Sequence, residues 1–197
     1  MTRCHPLVIL SLVLFAVHPS AWAESRTVRI LIIGNSFSRN ATHHLGDLAR
    51  AGGHNLIHQP IVVGGASLEL HASMAQKHEA DPKDKAGFYT NGRSLRDELR
   101  AEKWDYVTIQ QASLKSHDPA TYQPFARWLA DYIATYAPSA KRLLHQTWAY
   151  RVDDPRFTKP SGKPGEPKTQ EEMYLGLTRA YRGGVTAAGC NIHNQSQ

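Results

Sequence analysis

Four short apolar runs punctuate the chain, and each ends in small or polar residues before a helix-like stretch begins. They are "TVRILII" at Thr27–Ile33, "HNLIHQPIVVGG" from His54, "WDYVTIQQ" at Trp104–Gln111 and "KRLLHQTWAY" from Lys141. The first is rich in β-branched residues and lacks a period-2 polar face, the pattern of a strand buried on both sides. The second is interrupted by Pro60. Strands that alternate with helices predict a parallel sheet covered on both faces, and a ligand site beyond the carboxyl ends of the strands. With no Pro/Gly-rich linker between two cores and no internal repeat, residues 24–197 read as one domain.

The intervening stretches set the expected helices. In "NATHHLGDLARAGG", Leu45, Leu48 and Ala49 recur at helical spacing, Asn40 is placed to cap the start, and Gly52-Gly53 ends it. "SLELHASMAQKH" predicts a helix capped by Ser67, with Leu68 and His71 on one face. Phe88–Thr90 predicts a short strand or hairpin, and "RSLRDELRAEK" a short helix. Pro119–Ala137 predicts one long helix, and Pro138 stops it. A Pro/Gly-rich loop fills 151–168. Thr169 and Glu172 form a capping-box pattern at the start of the last helix.

The first 23 residues stand apart. Arg3, an apolar run from Leu7 to Val17 and the small-x-small "AWA" ending at Ala23 have the layout of a secretory signal peptide. The run is shorter than the ~20 apolar residues of a membrane span. The expectation is an exported chain, periplasmic or secreted, that begins at Glu24 and keeps no stable membrane span. Cys4 leaves with the leader, so Cys190 has no partner for an internal disulfide. The formal charge of +6 is spread along the chain. It forms neither a basic helix nor an aromatic-basic interleaving, so nucleic acid is not an expected partner. The eleven histidines match no zinc-ligand spacing and no H-E-x-x-H, so no metal and no other cofactor is expected.

The chemistry lies in the strand-end blocks: "GNSFS", "GGAS", "QQAS" and "QTWAY". Ser36 admits two readings, a helix-capping or turn serine and a nucleophile at a strand end. Gly64-Gly65 is either a tight turn or a close backbone approach in which the Gly65 N–H donates to an oxyanion. Gln110 and Gln111 should face opposite sides of the sheet. One of them could present an amide N–H to the site while the other serves a structural network. "NAT" at Asn40 fits a glycosylation acceptor, but a glycan there would crowd Ser36. Trp104, Trp128 and Trp148 fall within predicted core elements, which argues against a sugar-binding module.

Taken in order, "ILIIGNSFS", "VVGGASLELH", "WDYVTIQQAS" and "LLHQTWAY" resemble the SGNH (GDSL-like) hydrolase superfamily, and within it bacterial proteins of the DUF4886 type. The resemblance spans Val28 to Gly189. It implies a three-layer α/β/α, flavodoxin-like fold and a serine esterase acting on short acyl esters, acetyl above all, of small molecules or carbohydrates. Ser36 matches the nucleophile, and its own N–H and that of Gly65 match two oxyanion donors. The usual third donor, an Asn in a Gly-x-Asn block, is absent, and Gln111 or Gln110 stands there instead, with Asn35, beside the nucleophile, as a further oxyanion- or substrate-binding residue. The superfamily's Asp-x-x-His, which supplies the base, and the last strand before it are also absent. The expectation is therefore a domain lacking its C-terminal part, either catalytically impaired or using another base. His193 has no Asp three residues before it and is a poor base, His145 reads as a core histidine inside the fourth strand, and His117-Asp118 after the third strand is the local substitute left.

Overall fold

In the computed structural model, which describes residues 24–188, the four apolar runs become four parallel strands. They are β1 (Thr27–Gly34), β2 (Asn55–Val62), β3 (Tyr106–Ile109) and β4 (Lys141–Leu144), in the order β2-β1-β3-β4. That is a flavodoxin-like order, and its direction reverses between β1 and β3, where such folds bind ligands. Register sets Leu31 beside Val107 and Ile33 beside Ile109, with Leu144 next in line. These five side chains share one face and are almost fully buried.

That face is covered by α3 (Leu68–Ala80), α4 (Leu95–Arg100), α5 (Phe125–Tyr136) and α7 (Gln170–Ala188). Leu68, Leu99, Leu129, Ile133 and Leu177 are wholly buried there. Each such side chain contributes roughly 1.5–3 kcal/mol by leaving water. Right-handed crossovers put α1 (Ser36–Thr42) and α2 (Leu45–Ala51) on the opposite face, against β1 and β2. The expected three-layer α/β/α arrangement with a parallel sheet is the one observed. Residues 1–23 and 189–197, which carry the signal-peptide reading, Cys190 and His193, lie outside the described residues.

Several boundaries differ from expectation, each for a local reason. The first helix begins at Ser36, capped by Asn35, and Asn40 lies inside it. Leu48 of α2 is 67% exposed, so helical spacing alone did not mark a core face there. Pro60 does not break β2, because among the described residues β2 is an edge strand bonded only to β1 and its missing N–H faces no neighbour. The single helix expected over Pro119–Ala137 is a 3₁₀ turn at Pro119–Tyr122 followed by α5, since Pro124 supplies no N–H to carry a helix through. Within the 151–168 loop a single helical turn, α6 (Pro155–Thr158), is capped by Asp154. Only half of the capping box forms at α7. Thr169 Oγ1 accepts from the Glu172 N–H at 3.1 Å, whereas the Glu172 carboxylate takes the Lys168 N–H at 2.7 Å.

Candidate active site

β1 delivers the chain to the switch point, and the four residues after Gly34 divide the work. Asn35 is buried and caps α1, its Oδ1 accepting the Phe37 N–H at 3.0 Å. Its Nδ2 donates to the Ala66 carbonyl at 3.0 Å and the Gln111 carbonyl at 3.3 Å. One side chain thus binds the loops after β1, β2 and β3 together. Ser38 is fully buried and donates to Gln110 Oε1 at 2.9 Å. Phe37 packs on Trp148, with ring centroids 4.4 Å apart, which brings in the loop after β4. Ser36 alone is exposed and carries no side-chain hydrogen bond among the described residues.

Gly34 is required by sterics. A Cβ there would stand 2.1 Å from Ser38 Oγ and 2.9 Å from Ser38 Cβ. Gly65 is required by conformation, because its φ is +68°, where side chains other than hydrogen are strained. Both Gly64 and Gly65 face open space, and the Gly65 N–H makes no hydrogen bond to protein among the described residues. The Ser36 N–H is likewise uncommitted. Two backbone donors and one hydroxyl therefore remain free at this rim.

The two glutamines do face opposite sides of the sheet, as side-chain alternation requires. Neither leaves a free amide. Gln110 Nε2 lies 3.2 Å from His145 Nδ1. Gln111 Oε1 accepts from the N–H groups of Leu68 and Ala112, while its Nε2 points at the carbonyl and hydroxyl of Thr121, at 2.8 and 3.2 Å. The sequence marks Asn35, Gln110 and Gln111 as donors to a ligand. The structure occupies all three in holding the loops in place.

Three histidines surround this network. His71, on α3, is wholly buried, with Nε2 at 3.1 Å from the Gly34 carbonyl and Nδ1 at 3.0 Å from the Tyr89 hydroxyl. A carbonyl only accepts, so Nε2 carries the hydrogen and Nδ1 accepts from Tyr89. Burial lowers its pKa to about 4, against which the Gly34 bond acts in the opposite sense, so the ring is neutral. Nothing in the helix spacing marked His71 as the prop of the β1 terminus, because its partner is a backbone atom 37 residues away. His145 is also shifted down by burial. By the same logic its Nδ1 accepts from Gln110, which puts the hydrogen on Nε2. His117 is spent elsewhere, its Nε2 3.2 Å from the Gly165 carbonyl, and Asp118 caps the 3₁₀ turn.

Trp148 overturns one expectation. The sequence places it in the fourth strand and hence in the core, but β4 ends at Leu144 and Trp148 stands on the following loop, 46% exposed. Trp104, by contrast, is 3% exposed and Trp128 half-buried. Among the described residues no group of three or more His, Cys, Asp or Glu is placed to hold a metal ion, and no helix is long and apolar enough to cross a membrane.

Residues 29–181 match the family described as Domain of unknown function (DUF4886). Among solved structures, a DUF4886 family protein from Bacteroides uniformis ATCC 8492 superposes with a TM-score of 0.68 at 27% identity, over 84% of this chain and 66% of that one. This chain therefore spans just under two thirds of that protein's length. An extracellular lipase from Streptomyces rimosus and an acetyl xylan esterase are remote likenesses. Each has a TM-score of 0.43 at 12% identity, over 84% of this chain and 76% of the other. No curated protein matches the sequence.

Proposed function

This chain belongs to the DUF4886 family, and on the footing of its SGNH-like α/β/α layout we propose that it is an exported serine hydrolase of short acyl esters. The observation that carries the reading is the exposure of Ser36, flanked by the uncommitted N–H groups of Ser36 and Gly65. In this reading Ser36 Oγ attacks the ester carbonyl carbon. The oxyanion that forms is met by those two backbone donors, the alcohol departs with a proton, and water then releases the acyl group from Ser36. Asn35, Gln110 and Gln111 act as positioning residues, since their amides join the loops that present the three reacting groups. Export rests on the leader-like residues 1–23, and N-terminal sequencing of the exported chain should begin at Glu24.

A second reading, a chain that keeps this fold without turnover, is favoured by one specific observation. Ser36 has no base within hydrogen-bond reach among the described residues, and a missing base costs about 10²–10⁴-fold. A fluorophosphonate probe separates the two. Covalent labelling of the full chain that disappears in Ser36→Ala supports the hydrolase. Absence of labelling, together with equal hydrolysis of a chromogenic acetate ester by both chains, supports the non-catalytic reading.

A further inference from the structure

Ser38 stands on the first turn of α1, two residues past Ser36, and a chain of side chains leads from it out of the core. Its hydroxyl donates to Gln110 Oε1 at 2.9 Å, and Gln110 Nε2 donates to His145 Nδ1 at 3.2 Å. Ser38 and Gln110 are wholly buried, whereas His145, just past β4, is only partly so. The chain presses on the backbone that leads into the nucleophile. A Cβ on Gly34 would meet Ser38 Oγ at 2.1 Å and Gln110 Cβ at 3.4 Å. We infer that His145 is a positioning residue for Ser36: its Nδ1 lone pair sets the direction of the hydrogen-bond chain through Gln110 to Ser38, and a proton on Nδ1 reverses that direction. The effect on Ser36 rests on the ester-hydrolase reading, whereas the chain itself does not.

The amide makes the reversal possible. A backbone carbonyl only accepts, so the bond from His71 to Gly34 has a fixed polarity, but Gln110 offers a donor and an acceptor on one planar group. With Nδ1 unprotonated, the amide N–H faces the ring and the amide oxygen faces Ser38. A proton taken from water onto Nδ1 would set two N–H groups against each other. Half a turn of the amide restores both contacts, oxygen to ring and N–H to Ser38 Oγ. The Ser38 hydroxyl hydrogen then needs another acceptor. The carbonyl one turn back, Gly34, already accepts from His71 Nε2 and from the Val63 N–H, each at 3.1 Å, which fills both lone pairs. A buried hydroxyl hydrogen left without an acceptor is costly, and the turn beside Ser36 bears that cost. The charged and titratable groups on the surrounding elements are Arg39 on α1, Tyr106 on β3, Lys141 and Arg142 on β4, Arg151 in the next loop and Tyr181 on α7. Burial is what lowers the His145 pKa, and Gln110 is the side chain bonded to its ring.

The test follows the full chain in two ways, by kcat and KM on the chromogenic acetate ester and by nitrogen NMR of the His145 ring. His145→Asn keeps an oxygen acceptor near the Nδ1 position without a titrating group, and His145→Ala keeps none. His145→Ala should lower kcat about tenfold with KM within about twofold, and His145→Asn should restore most of the loss. From about pH 7 to about pH 5, kcat should fall more steeply in the parent chain than in His145→Asn. Equal losses in the two variants, or parallel pH profiles for the parent chain and His145→Asn, would overturn the inference. The NMR arm needs no turnover and decides alone if no chain hydrolyses the ester. The neutral ring should carry its hydrogen on Nε2. Ser38→Ala removes the hydroxyl that opposes reversal, so the His145 pKa should rise by about one, a tenfold change in proton affinity. An Nδ1–H in the neutral ring, or a pKa unmoved by Ser38→Ala, overturns the chain while leaving the hydrolase reading to the fluorophosphonate probe.

Discussion

The two ends of the sheet differ in kind. At the amino ends of the strands lies a cavity of about 400 Å³, lined by Arg26, Asp105, Tyr106, Ser139 and Lys141 among others. Its charged groups are exposed: the Asp105 carboxylate accepts the Arg29 N–H at 2.7 Å, and the Lys141 ammonium lies 5.8 Å over the Tyr106 ring. At the carboxyl ends, Asn35, Ser38, His71, Gln110 and Gln111 are all sealed from water, and each is hydrogen-bonded to another segment. A buried polar group left unpaired costs about 1–3 kcal/mol, so such a network persists only where its geometry is fixed. The comparison teaches that void volume is a poor guide to the site in this fold. A better mark is one uncommitted exposed hydroxyl ringed by committed buried amides.

The largest effect expected from that contrast is at Ser36. Ser36→Ala removes one small, exposed side chain, so its effect on unfolding should stay within about 0.5 kcal/mol. Ester turnover should fall by about 10³-fold or more, because the nucleophile acts as part of a unit. A rate within twofold of the parent chain would remove the carboxyl rim's claim to the chemistry. Asn35→Ala comes next. It deletes a helix cap and both donations that bind the loops after β2 and β3, and should lower unfolding stability in urea by about 2–4 kcal/mol. A loss under 1 kcal/mol would show that the rim is held by packing alone.

Acid should loosen the same rim through His71. Its folded-state pKa of about 4 lies below the unperturbed 6.5, so the unfolded chain binds the extra proton between those values. Stability from this group is therefore present above pH 6.5 and is lost as pH falls toward 4. The loss amounts to about 2–3 kcal/mol between pH 7 and 4.5. His145, shifted in the same direction, adds to the loss. His71→Gln offers the Gly34 carbonyl an amide donor without a titrating group, and its urea midpoint should fall less over that interval. Equal pH dependence in both chains would place the acid sensitivity elsewhere.

Much of the fold was legible because it is written in local patterns. β-branched runs mark β1 and β3, Ser67 caps α3, and the strand-helix alternation forces a parallel sheet. The elements misread are those where a neighbour decides. Pro60 is tolerated because β2 has no second partner among the described residues, and Trp148 escapes the core because β4 stops four residues earlier. At the site, Ser36 and Gly65 could be found from the small residues that follow each strand. The roles of Asn35, Gln110 and Gln111 could not. An amide has both donors and acceptors, and only the partners brought up by the fold tell whether it faces a ligand or a carbonyl. The prop supplied by His71 was hidden for the same reason.

The smallest effect should come from the amino end, and it is the sharpest check on the comparison. Lys141→Ala removes an exposed ammonium whose identified contact is the Tyr106 ring, at a distance where a cation–π interaction contributes about 0.5–1 kcal/mol at a surface site. Lys141 opens β4, whereas the loop bearing Trp148 leaves the other end of that strand. Between them Leu144 is anchored in the core and the His145 N–H donates to the Ile109 carbonyl at 2.8 Å, which should isolate one end from the other. Unfolding stability should therefore drop by less than about 1 kcal/mol, and ester turnover should stay within about twofold. A tenfold loss of turnover with unchanged stability would mean that the large amino-end cavity takes part in the chemistry after all, and that the two ends are coupled through β4.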